Sequence, residues 1–250
     1  MRRRASEVAV LVMFLASLAA CKAPASGNDR AATARDFPQA YRPVSKVVAS
    51  AFSTEDQRDA VNEANTVMDL AAIRPGTTVA DIGAGDGYYT VRLAQRVGIK
   101  GRVLAQDIDR QTLERLGTRV ERERLDNVSI KLGTQDDPKL PDASFDRIFL
   151  IHMYHEVSEP YALLWRMRPA LRAGGRVVVV DLDRETNRHG IPPGLLFCEF
   201  AAVGFRLGQF VRKPELQGYY AEFELTGDRP APASIKPCGQ AATVAEKAPG

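Results

Sequence analysis

The residues able to do chemistry in this 250-residue chain fall in three short stretches. The first, 79-VADIGAGDGYYT-90, sets glycines at 83, 85 and 87, with Asp81 two positions before the first of them. The second, 103-VLAQD-107, ends in Asp107, 20 residues after Gly87. The third is 152-HMYHE-156.

Each stretch suggests a task. A turn that passes close to a ligand must keep β-carbons out of the way, and Gly83, Ala84, Gly85 and Gly87 do so just before a helix whose free N–H groups point at the site. A dinucleotide fingerprint, GxGxxG, would need glycine at 88, where this chain has Tyr88. Asp81 disfavours a bound pyrophosphate and suits a ligand with a cationic amino-acid portion. Asp107, at the end of its strand, is placed to accept hydrogen bonds from ribose hydroxyls. Asp109 is better placed as a helix cap. In the third stretch His155 is the candidate to take a proton from a nucleophile, Tyr154 to orient the acceptor and Glu156 to fix the imidazole. The spacing His152-x-x-His155-Glu156 matches no zinc signature, so no metal is expected.

The elements that must position these residues alternate. Strands are expected at 77–82, 102–107, 128–132, 145–151, 176–182, 205–211 and 219–225. Helices are expected at 89–97, 111–123, 159–171 and 192–203, with Ser158 as an N-cap and Gly174 past a helix end. Another helix starts at Thr54, which with Gln57 forms a capping box. The 176–182 run is apolar enough to be buried on both faces. Alternation of this kind gives a doubly wound α/β domain: a parallel sheet with helices on both faces.

The ends read differently. Arg2–Arg4 followed by the apolar run 8–20 and Leu18-Ala19-Ala20-Cys21 resemble a bacterial lipobox. This implies a signal peptide over 1–20, lipid on Cys21, and a periplasmic, membrane-anchored location. A mis-assigned start before a cytoplasmic enzyme is the alternative. Residues 21–50 read as a flexible tether, 51–226 as the domain and 227–250 as a Pro/Ala-rich tail. Cys198 and Cys238 are either a disulfide or two free thiols. The net charge of +3 falls by two when the leader leaves, and no basic stripe carries aromatics, so nucleic acid is not an expected partner.

The chain from about 54 to 225 resembles the class I S-adenosylmethionine-dependent methyltransferases. The stretches 79-VADIGAGDG-87, 101-GRVLAQDID-109, 139-KLPDASFDRIFLIHMYHEV-157 and 168-RPALRAGGRVVVVD-181 carry the resemblance, and 191-IPPGLLFCEFAAVGF-205 is similar to a group of predicted bacterial methyltransferases. The resemblance implies a Rossmann-like seven-stranded sheet of order 3-2-1-4-5-7-6 with its last strand antiparallel. It implies that Gly83–Gly87 takes the methionine part of S-adenosylmethionine, with Asp81 near its ammonium. Asp107 would hold the ribose, Ile108 would pack on the adenine, and His152 would leave the fourth strand where cofactor and acceptor meet. The usual acid after the third strand's glycine is replaced by Thr134, so the adenine edge falls to Gln135 or Asp136. Tyr88 and Tyr89 either line the acceptor pocket or pack the helix, and the loop carrying His189 is either a lid or a connector. No NPPY or DPPY follows the fourth strand and no cysteine lies in the catalytic stretch, which argues against base-amine and covalent pyrimidine methylation. The expected function is methyl transfer to a small-molecule acceptor. The alternative is a non-catalytic nucleoside-binding protein of the same fold.

Overall fold

A computed structural model of the chain describes residues 30–46, 54–213 and 218–239. Strands β1 (Thr78–Ile82), β2 (Arg102–Asp107), β3 (Val128–Leu132), β4 (Phe145–Ile151), β5 (Leu171–Leu182), β6 (Phe205–Lys213) and β7 (Gly218–Leu225) form one sheet in the order β3-β2-β1-β4-β5-β7-β6. β1 to β5 run parallel, and β7 is antiparallel to both of its neighbours, β5 and β6. The expected order is therefore observed. β1 and β4 are adjacent at the centre, so the crevice of the sheet opens beyond their carboxyl ends.

The apolar runs explain the layers. Val177, Val178, Val179 and Val180 of β5 are all fully buried and alternate between two cores. Ala80, Ile82, Ile148, Leu150, Val177 and Val179 face one core with α5 (Pro160–Met167) and α6 (Pro193–Ala202). Val79, Phe149, Ile151, Val178 and Val180 face the other with α2 (Glu63–Leu70) and α3 (Tyr88–Val97). Each such side chain stabilises the fold by about 1.5–3 kcal/mol relative to exposure. Helix α4 (Arg110–Arg122) packs near β2 and β3, capped by Asp109, whose side chain accepts from Thr112 N.

Several boundaries differ from the sequence expectation. The Thr54–Gln57 capping box is present, but the helix it opens is two: α1 (Glu55–Ala60) and α2, separated by Asn62 at φ 53°. Asparagine tolerates this left-handed geometry better than most residues. The helix expected over 159–171 ends at Met167. Pro160 takes the first helical position and Pro169 cannot continue the ladder, so Ser158 is not the cap and Leu171 already belongs to β5.

The two ends are the larger corrections. The compact unit begins at Ala31 rather than 51. Residues 31–46, expected as tether, lie on it: Ala34 and Phe37 enter the core, and Arg42 pairs with Glu199 at 2.8 Å, both side chains buried. The start of the tail also packs. Cys238 is disulfide-bonded to Cys198 with a Cα–Cα distance of 6.0 Å, Ile235 is buried, and Trp165 Nε1 donates to Pro230 O at 2.7 Å. Residues 1–29, with the leader and Cys21, lie outside the described residues. Among the described residues no helix is long and apolar enough to cross a membrane.

Candidate active site

β1 delivers the glycine loop to the crevice. A β-carbon on Gly83 would lie 2.9 Å from the Met153 side chain, so glycine lets the β1 and β4 loops meet. Gly85, at φ 56°, faces open space and combines positive φ with ligand access. Gly87 is the N-cap of α3, and Ala84 N donates to Gln106 O. Asp107 closes the loop from β2. Its Oδ2 accepts from Gly85 N at 3.0 Å, and its Oδ1 accepts from Ile108 N and Asp109 N at 2.7 and 3.0 Å. A carboxylate offers about four lone-pair positions, so these three bonds orient Asp107 and leave about one for a ligand's hydroxyl. Ile108 beside it is 37% exposed, a free apolar surface at the crevice.

Asp81 lies deeper and accepts from Thr90 Oγ1 at 2.6 Å. Burial pushes its pKa up to about 6; the nearby Asp107 charge adds to this and the Thr90 bond opposes it. Such a carboxylate ionises readily when a cation arrives beside it.

At the end of β4, His152 adopts φ 54° and its Nε2 lies 3.4 Å from Glu63 Oε1. Glu63 also accepts from Arg58 and from Tyr89 OH at 3.0 Å. Burial raises its pKa, but His152 and Arg58 outweigh that and hold it down to about 2. Tyr88 OH donates to Asp59 at 2.9 Å. Tyr88, Tyr89 and His152 are therefore tied to the α1–α2 unit, and the alternative of plain helix packing holds for both tyrosines.

Three assignments change. Tyr154 does not face an acceptor: it is fully buried, and its OH donates to Glu199 at 2.8 Å. Asp136 is buried and accepts from Thr33, Thr134 and Arg166 at 2.6–2.8 Å, so it clamps the N-terminal segment rather than reading adenine, which leaves Gln135. Glu156 does not orient the His155 ring. Asp181 does, with its two oxygens 2.9 and 3.0 Å from Nδ1, while Glu156 Oε1 stands 3.9 Å from Nε2. Asp181 is not among the residues expected from the sequence; the signal it carries there is a carboxylate ending the valine run 177–180.

Residues 79–175 match the family of methyltransferase domains. The ubiquinone/menaquinone biosynthesis C-methyltransferase UbiE of Hahella chejuensis is 29% identical over 126 residues, 48% of this chain and 49% of that protein. The protein-L-isoaspartate O-methyltransferase of Methanothrix thermoacetophila is 32% identical over 131 residues, 50% of this chain and 60% of that one. The chain thus spans about half the length of the first curated relatives it matches. Among solved structures, a SAM-dependent methyltransferase from Aquifex aeolicus superposes with a TM-score of 0.61 at 23% identity, covering 67% of this chain and 90% of that one. The [4+2]-cyclase SpnF superposes with a TM-score of 0.60 at 15% identity over 78% and 92%. Both show the fold. The matched stretch holds the glycine loop and Asp107. The match stops at 175, before Asp181 and His189.

Proposed function

We propose that the chain is an S-adenosylmethionine-dependent methyltransferase of a small-molecule acceptor, held by lipid on Cys21 at the periplasmic face of a bacterial membrane. The observation that carries the first half is the placing of the Gly83–Gly87 loop, Asp81 and Asp107 together at the carboxyl ends of β1 and β2. When bound, S-adenosylmethionine supplies an electrophilic methyl group on a sulfonium. Asp81 would pair with its ammonium, Asp107 would hold its ribose and Ile108 would support its adenine, with Gln135 at the adenine edge. These residues provide alignment for in-line displacement, in which proximity and orientation lower most of the barrier. An acceptor whose nucleophile arrives protonated needs a base. His155 is that base: Asp181 accepts from Nδ1–H, which leaves the Nε2 lone pair for the proton. The quinone chemistry in the name of the UbiE relatives supports a ring-bearing acceptor of that general kind. The Cys198–Cys238 disulfide supports the location, because disulfides persist in oxidising compartments.

Calorimetry of the purified chain with S-adenosylmethionine and S-adenosylhomocysteine tests the reading. Both ligands should bind, and Asp107→Ala should weaken them at least about tenfold, or about 1.4 kcal/mol. No heat with either ligand would sink the proposal. Binding without turnover on any methyl acceptor would leave a nucleoside-binding protein of this fold.

A further inference from the structure

The turn after β4 and the loop after β5 bring together three side chains that the sequence keeps apart. His155, Glu156 and His189 each present one ligand atom, and all three atoms lie within 4.8 Å of one another. The two imidazole rings meet edge to face, with centroids 5.6 Å apart at 89°. The local spacing His152-x-x-His155-Glu156 gave no reason to expect a metal. His152 turns away to Glu63. The group forms instead with a histidine 34 residues beyond His155.

We infer that His155, Glu156 and His189 bind a divalent transition-metal ion of the zinc class. Two imidazole nitrogens and one carboxylate oxygen form a ligand set that suits zinc and its neighbours, whereas magnesium and calcium prefer all-oxygen sites. Tetrahedral ligation at zinc places ligand atoms about 3.4 Å apart, given metal–ligand distances of about 2.0–2.1 Å. Side-chain rotations that draw these atoms together by up to about 1.4 Å close the present spacing to that.

The surroundings are those of a metal ligand shell. The buried carboxylate of Asp181 receives Nδ1–H of His155, which fixes the tautomer and directs the Nε2 lone pair at Glu156 and His189. The backbones of both histidines hang on one residue. Ser45 N donates to His155 O at 3.3 Å, and His189 N donates to Ser45 Oγ at 3.1 Å. Ser45 Oγ in turn donates to Thr186 O. Arg42 adds hydrogen bonds to the carbonyls of Tyr154, His155 and Val157 at 3.1–3.4 Å. His189 is held at φ 54°, a conformation that only a minority of non-glycine residues adopt and that this scaffold maintains. Asp181 and Glu156 also bring two carboxylates to a largely buried place, and a divalent cation offsets their charge.

Three protein ligands leave a fourth position open for an oxygen, either water or an acceptor hydroxyl. The ion and a proton compete for the same Nε2 lone pair. The metal-bound form therefore acidifies a bound oxygen at the ion, and the metal-free form relies on His155 as base. The inference stands apart from the methyltransferase reading, because binding is measured without cofactor.

The test uses the purified chain without a polyhistidine tag, stripped with chelator and titrated with zinc chloride by calorimetry, with metal content checked by mass spectrometry. One zinc per chain is expected. His189→Ala should weaken it at least tenfold, Asp181→Asn by about 10–100-fold, and His152→Ala should leave it unchanged. Cobalt should give the visible absorption of a tetrahedral N/O site on the wild-type chain, which decides the matter even if a variant fails to fold. The inference is overturned if the wild type binds no zinc, if His189→Ala binds it as tightly as the wild type, or if cobalt gives only the spectrum of the hydrated ion.

Discussion

At the scale of single residues, Asp81 shows how the site is tuned. Its pKa near 6 exceeds the unfolded value of 3.8 because burial penalises the charge. Between those two values the folded chain holds a proton that the unfolded chain has lost. Stability of the ligand-free protein therefore falls as pH rises through this window, by about 3 kcal/mol in all. Asp81→Asn should restore much of that above pH 6, read as a higher melting temperature without ligand. S-adenosylmethionine binding should move the opposite way. Its ammonium favours the ionised carboxylate, so affinity should drop about tenfold per unit below pH 6 and level off above it. Calorimetry between pH 5 and 7.5 checks both; an affinity that is flat down to pH 5 would remove the ion pair from the account.

At the scale of elements, the segment 31–46 is the main surprise. Its composition of Ala, Pro, Ser and Arg has no period, so nothing local announced that it packs. Its role depends on partners far along the chain: Arg42 reaches Glu199 at a separation of 157 residues, and Ser45 reaches His189 at 144. Separations of 26 and 103 residues likewise hid the Asp181–His155 pair and the Thr33 contact to Asp136. By contrast, the glycine loop, Asp107 and the capping of α4 by Asp109 are local patterns and were legible. So were the strands, whose apolar runs leave one solution for burial on two faces. Pro169 was legible in principle, as a stop signal inside the run expected to be helical. Arg42→Ala should expose the difference between tether and strap. It leaves the Glu199 carboxylate buried without its partner and should cost about 3–5 kcal/mol in denaturant unfolding. Arg35→Ala, on the exposed side of the same segment, should change stability by less than about 0.5 kcal/mol.

At the scale of the whole molecule, the disulfide closes 40 residues of sequence and joins the segment around Cys238 to α6. Replacing Cys198 and Cys238 by serine together should lower stability by about 3–4 kcal/mol, or roughly 10 °C in melting temperature. Thiol reductant should do the same to the wild type and leave the double variant unmoved. The proposed lipid anchor predicts that labelled palmitate enters the wild type in cells and not Cys21→Ser. Label in both would overturn the assignment of the lipid to Cys21.

Cys198 and Glu199 are consecutive on α6, and through them that helix holds both ends of the described chain: the tail by the disulfide, the N-terminal strap by Arg42. Arg42 in turn holds the turn that carries His155. A loosened bond at Cys198 therefore reaches the turn of His155 through two residues, Glu199 and Arg42. For the bench this has a plain meaning. An extract prepared in dithiothreitol, the usual buffer for enzymes of cytoplasmic origin, should weaken the hold on that turn, so the assay belongs in buffer without thiol.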